Sequence, residues 1–287
     1  MPRHLIICCG ARVEITDSKV VVLDEPLTRR CPLQTIAYGY DVIDREVVRK
    51  KVEMKINKLG FASKDRLFIT EPKVPYGASE IIMSCLEDGL FDCAVTVCEG
   101  SGTVLASSPE LVQMIGAFLS GIVETTPVPE IIEKLKENGG IILDENRATI
   151  DQVGGVELAA KKGYSRIAVT VAGFRSWELP RIRDVERRYG VEVTIFVVCT
   201  TRCELSDLEN LMLSDLLWGC NSKLVREEIA LKAIFQLGVS IPVFALTERG
   251  KRALLTHLMK MREPLVAFRA KLPYTAPGKS PEQRNIA

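Results

Sequence analysis

Histidine is almost missing from this chain: His4 and His257 are the two in 287 residues. A Ser-His-Asp or Cys-His triad would have to use one of them, and neither falls in a loop after an expected strand. A multi-histidine zinc or non-haem iron site has too few ligands. Charge of one sign is lacking as well. Thirty-eight basic and 37 acidic residues leave a net +1, whereas a dedicated nucleic-acid binder carries a basic excess on one face. Long apolar runs are also missing. No stretch reaches the ~18 apolar residues of a spanning helix; residues 233–246 come nearest and are broken by Gln236, Gly238, Ser240 and Pro242. The apolar run near the start is too short for a secretory signal, so the expected compartment is a reducing cytoplasm, without membrane or nucleic acid as partner.

What is present is an ordinary globular composition, 47% hydrophobic and 26% charged, with nine cysteines. From residue 91 onward, apolar β-type runs at 92–98, 140–143, 166–171, 192–199 and 241–246 alternate with helical stretches. Helices open at Ser108-Pro109-Glu110, run over 129–137, 153–162 and 177–189, restart at a capping box Ser206-Asp207-Leu208-Glu209, and end with 247–261. Strands apolar on both faces, alternating with helices, predict an α/β fold: a layered, mostly parallel, Rossmann-like sheet flanked by helices. An N-terminal α+β segment precedes it. There, 4–9 and 20–23 read as a small hairpin or meander, Cys31-Pro32-Leu33 as a loop, 44–59 and 77–88 as helices, and 66–70 as a short strand. The expected organisation is 1–90, 91–261 and a draped or disordered tail, 262–287.

Ligands of open parallel sheets bind beyond the carboxyl ends of the strands. The loops expected there are Cys98-Glu99-Gly100-Ser101-Gly102-Thr103, residues 170–175, Cys199-Thr200-Thr201-Arg202-Cys203 and Thr247-Glu248-Arg249-Gly250. Backbone N–H groups at Gly100, Ser101, Gly102 and Thr103, hydroxyls of Thr200 and Thr201, and the guanidinium groups of Arg175, Arg202 and Arg249 together suit an anionic small molecule. Short connections are rich in such residues for capping reasons too. The 98–103 segment is neither a Walker A loop nor a dinucleotide fingerprint.

No Cys-x-x-Cys spacing occurs. Cys85 and Cys93 read as buried hydrophobes. Cys31, Cys98 and Cys220 fall at element ends and form a candidate thiolate set for an iron–sulfur cluster. Cys98 is also a candidate nucleophile, with Glu99 beside it and a glycine-rich helix start to lower its pKa.

Several segments, taken together, resemble the methanogenesis marker protein 8 family: Cys31-Pro32-Leu33, Gly77-Ala78-Ser79-Glu80-Ile81, Asp92-Cys93-Ala94-Val95, the run from Val97-Cys98-Glu99-Gly100 through Thr103-Val104, Pro109-Glu110-Leu111-Val112-Gln113, Thr125-Thr126-Pro127-Val128-Pro129-Glu130 and Ile150-Asp151-Gln152-Val153. The likeness covers about residues 31–258. It implies a cytoplasmic protein of anaerobic archaea that assists methyl-coenzyme M reductase or its coenzymes, and it assigns no catalytic residue. The Cys8-Cys9 and Cys199…Cys203 pairs count as departures from the family pattern. The leading expectation is an accessory protein binding an anionic small molecule, a cofactor or a protein partner of methyl-coenzyme M metabolism. An iron–sulfur or thiol-redox protein and a cysteine-dependent enzyme remain as alternatives, and a second copy of the chain remains open as a partner.

Overall fold

A computed structural model describes residues 2–17, 19–117 and 121–284. The chain opens with a meander, β1 (Arg3–Cys8), β2 (Ala11–Thr16) and β3 (Lys19–Val22), followed by β4 (Thr28–Arg30). Pro32 pushes Cys31 into extended geometry, yet it also occupies the first turn of a short helix, α1 (Pro32–Tyr38). The expected loop is therefore a helix start. α2 (Arg45–Leu59) is capped by the Asp44 side chain and ends on Gly60 in left-handed geometry. Residues 66–70 form no strand, because Arg66 turns inward to a buried ion pair instead. α3 (Ala78–Glu87) completes this part.

Next come β5 (Cys93–Cys98), β6 (Gly102–Ala106), α4 (Pro109–Gly116), β7 (Gly121–Glu124), α5 (Pro129–Glu137), β8 (Ile141–Ile142), α6 (Gln152–Lys161) and β9 (Arg166–Ala172). α7 (Glu178–Tyr189), β10 (Glu192–Val198), α8 (Leu208–Leu211), β11 (Leu216–Trp218), α9 (Lys223–Glu227), β12 (Phe235–Leu237), β13 (Val243–Ala245) and α10 (Glu248–Lys260) follow. The capping box near α8 joins Glu204 and Asp207, two residues upstream of the expected one.

The large sheet is mixed. Its order is β12-β13-β11-β10-β9-β5-β6-β8. Parallel pairing links β11, β10, β9 and β5 alone; both flanks pair antiparallel. The expectation of a mostly parallel sheet holds for the centre and fails at the edges. The reason is local: after β5 the chain turns through Glu99, Gly100 and Ser101 directly into β6, where a parallel neighbour would need a helical crossover. Alternate residues feed two cores. Ala94, Ala168, Phe196 and Leu216 pack toward α3, α4 and α10, while Val95, Val169, Ile195 and Leu217 pack toward α6 and α7. Cys85 and Cys93 are buried in these cores.

β7 joins the meander in a second sheet, β3-β2-β1-β7, whose apolar face packs on Val48, Val52 and Ile56 of α2. The chain then returns to its beginning: β14 (Glu282–Gln283) pairs with β4.

Candidate functional site

The meander lies against the carboxyl ends of the parallel strands, and thiols line the seam. β10 ends at Cys199, which adopts a left-handed backbone (φ 55°, ψ 48°) that a residue bearing a Cβ rarely takes. Its sulfur lies over Gly121 of β7, where a Cβ would come within 3.0 Å of it. The next residues make a short 3-10 turn. Thr200 donates its hydroxyl to the Trp218 carbonyl at 2.6 Å, tying the β10 loop to the end of β11. Arg202 donates to the Gly10 carbonyl at 2.7 Å and pairs with Asp24 at 3.4 Å, tying the same loop to the meander. Cys203 packs so closely on Gly173 that a Cβ there would sit 2.4 Å from its sulfur. Cys220 follows β11, and Arg226 clamps the Gly219, Cys220 and Ser240 carbonyls behind it.

Opposite stands the β1–β2 turn. Cys8 pairs with Ala11, leaving Cys9 and Gly10 as a two-residue loop with φ of 51° and 82°, the signature of a type I′ hairpin turn. Glycine suits that geometry and cysteine does not. Lys51 of α2 donates to the Cys9 sulfur at 3.9 Å. Lys55, one helical turn on, is only 7% exposed and lies 5.7 Å from the Phe61 ring centroid. These neighbours set the protonation states. A hydrogen bond from Cys9 holds the Cys8 thiol well below its ordinary range against the opposing effect of burial, and Lys51 and Lys55 add to the lowering. Cys9, burdened by that bond and by burial, is pushed well up. Burial and Lys51 bring Lys55 down to about 8, with Cys8, Cys9 and Glu99 opposing. Cys199 is pushed up to about 12, chiefly by burial, with Lys55 pulling the other way. Lys51 and Lys55 thus favour the ionised form of Cys8, while burial disfavours it at Cys9 and Cys199.

The residues expected from sequence are placed differently from one another. At the end of β5 the amides are occupied by the protein itself: Gly100 N–H donates to Thr125 Oγ1 at 2.7 Å, Ser101 N–H to the Cys98 carbonyl at 3.3 Å and Thr103 N–H to the Thr149 carbonyl at 3.0 Å. Gly102 has no room beyond its own backbone, since a Cβ would meet the Ala148 carbonyl at 2.3 Å. No helix starts there, so no helix dipole acts on Cys98, and burial pushes its thiol up. Glu99 pairs with Arg66 at 2.6 Å, the two side chains 2% and 0% exposed. Thr200 and Thr201 border the seam, the latter packed against Gly10.

The three arginines separate. Arg202 alone lies at the meander. Arg175 bonds Glu178 and the Ile150 carbonyl. Arg249 pairs with Glu186 and Asp215, at the amino ends of β10 and β11, because β13 runs antiparallel and delivers its carboxyl end to the other edge. Among the described residues, no three or more His, Cys, Asp or Glu side chains are grouped to hold a metal ion, so Cys31, Cys98 and Cys220 do not form a preassembled cluster site. Lys51 and Lys55 are the seam residues that sequence reading passed over, and the Cys8-Cys9 pair entered it only as a departure from the family pattern. One signal pointed to the turn, the Cys-Cys-Gly run; Lys51 and Lys55 sit among the other charges of α2 and carried none.

Among the described residues no helix is long and apolar enough to cross a membrane. A protein of Methanocaldococcus jannaschii, "Uncharacterized protein MJ0054", is 36% identical over 271 residues, which span 93% of this chain and 95% of that relative. The model of the family described as "Uncharacterized protein conserved in archaea (DUF2099)" matches residues 4–259, a span that takes in the meander, the lysine-bearing helix and every strand of the large sheet. The chain belongs to this archaeal family.

Proposed function

We propose that this is a cytoplasmic accessory protein of archaeal methane metabolism that binds an anionic small molecule or cofactor in the seam between the meander and the parallel strands. The metabolic assignment rests on the resemblance carried by the segments from Cys31 to Val153. The binding site rests on one observation: Lys51 and Lys55 present two ammonium groups, one helical turn apart, to the Cys8-Cys9 turn at the edge where such sheets take their ligands. Arg202 at the same seam adds positive charge. Burial disfavours the charged form of Lys55, and a bound anion would favour it.

Native mass spectrometry of the chain purified under strict anaerobiosis tests this reading. The expected result is a co-purifying anionic small molecule that is lost from the Lys51→Ala, Lys55→Met double variant and kept by Arg249→Ala. Retention by the lysine variant would sink the assignment.

A further inference from the structure

We propose that Cys8 and Cys9 act as a vicinal redox dithiol that reduces an anionic low-molecular-weight disulfide. This deepens the reading of the seam as an anion site and rests on it. Three features of the seam carry it. The two thiols sit on adjacent residues at one hairpin turn, so the second sulfur is in place to resolve a mixed disulfide formed on the first. The sulfurs differ in access, Cys8 being 8% exposed and Cys9 more open, so the resolving thiol, Cys9, is the more open of the two. Lys51 reaches the Cys9 sulfur at 3.9 Å, and Lys55 follows on the same helix face, which places positive charge where a carboxylate- or sulfonate-bearing substrate would approach. The turn itself adds a fourth point. Cys9 occupies left-handed backbone (φ 51°), a position where asparagine or glycine would fold better, and strain of this kind is found where a site needs it.

The chemistry balances as one two-electron exchange. The Cys8 thiolate attacks one sulfur of the substrate; a Cys8–S bond forms, the substrate S–S bond breaks, and one thiolate leaves beside Lys51. Cys9 then attacks the Cys8 sulfur. The vicinal disulfide forms, and the second leaving group departs with the Cys9 proton. The cysteine pair is oxidised, the substrate disulfide becomes one thiolate and one thiol, and no further reactant enters.

The test is a single turnover of the reduced full chain with three aliphatic disulfides: dithiodiglycolate, which is dianionic, neutral hydroxyethyl disulfide and dicationic cystamine. Each rate is normalised to the same disulfide reacting with a small free thiol. The expected result is two thiol equivalents released per chain, loss of two hydrogens mapped to the peptide holding Cys8 and Cys9, and a normalised preference of roughly 10-fold for the dianion over the neutral disulfide, shrinking with added salt. Cys9→Ser should stop at a mixed disulfide on Cys8 with one equivalent released. Cys8→Ser should slow the reaction by about 100-fold, as loss of the thiolate requires. Should either variant fail to fold, the mapping on the native chain decides. Oxidation mapped to any other pair, or an adduct on a cysteine other than Cys8, overturns the dithiol even where the lysine-dependent ligand of the preceding experiment is found. Equal normalised rates for the three disulfides, with Cys8 and Cys9 oxidised, overturn the anionic substrate and with it the seam as an anion site, while the exchange chemistry stands.

Discussion

The two ends of the parallel strands differ in what stands beside their ion pairs. At the amino end every prominent charge is closed by a partner. Asp92 accepts from Ser165 and from the Arg166 guanidinium. Asp215, fully buried, accepts from Arg183, from Ile195 N–H and from the Thr247 hydroxyl, while Glu186 bridges Arg183 and Arg249. At the carboxyl end the buried Arg66–Glu99 pair and the Arg202–Asp24 pair share the edge with thiols, two lysines of one helix, and two cysteines in left-handed backbone. One end uses charge to hold strands in register. The other also accepts left-handed cysteines and a lysine whose charged form burial disfavours. On the proposed reading, the carboxyl end is where local folding preferences yield to function.

That contrast can be broken experimentally, and the largest effect belongs to the closed end. Asp215→Ala leaves Arg183 and Arg249 facing one another beside a buried amide, and should cost on the order of 3–5 kcal/mol of unfolding free energy. Urea denaturation measures it; a loss below about 1 kcal/mol would remove the distinction between the ends.

The next effect is kinetic and belongs to the open end. Because the Cys8 pKa is lowered, its thiolate is already formed at mildly acidic pH, and iodoacetamide labelling of Cys8 should stay nearly flat between about pH 6 and 8. A thiol of ordinary pKa would rise roughly 80-fold over that interval. Cys85, Cys98 and Cys203, all raised by burial, should label slowly throughout. A Cys8 rate climbing with pH like that of a free thiol would erase the open end as a thiolate site.

Smaller effects sharpen the comparison. Hydrogen bonds from Arg166 hold Asp92 down to about 2. The folded value lies below the unfolded one, so the contribution is present above about pH 4 and is lost as pH falls through about 2. With side chains 24% and 49% exposed, Asp92→Asn should cost about 1 kcal/mol at neutral pH and nothing in strong acid, as thermal melts across pH would show. Cys9→Asn reverses the sign. Asparagine before Gly10 makes a favourable type I′ turn, so the variant should gain about 0.5–1 kcal/mol while losing disulfide reduction. A destabilised variant would mean that Cys9 holds the turn together.

Much of the centre was legible in the sequence. The runs at β9 and β10 are apolar on both faces, and the caps at Ser108, Asp151 and Thr247 are the residues whose side chains accept from the first turn. Strand direction at the edges was not, because it depends on whether three residues such as Glu99, Gly100 and Ser101 make a hairpin or lead into a helix. β6 begins with a glycine and β11 has three residues, too little periodicity to register. The site was harder still. Arg249 looked like Arg202 in sequence, each close after an apolar run, and only the reversed β13 sends it to the far edge. Lys55 looked like a solvated face of α2. Its burial comes from the β-meander folding over that helix, a long-range contact that local spacing does not encode.

The pairing of β14 with β4 bears on how this centre comes into being. Glu282 pairs with Arg30, so β4 waits for a partner synthesised roughly 250 residues later. The neighbouring backbone is held in the same chain of bonds: Arg284 N–H donates to the Leu27 carbonyl, and Thr28 N–H to the Cys9 carbonyl. A nascent chain therefore carries its adjacent cysteines on a turn whose outer wall is missing. That part of the structure forms only after β14 has been synthesised, so the surroundings of the Cys9 turn depend on a segment far along the chain.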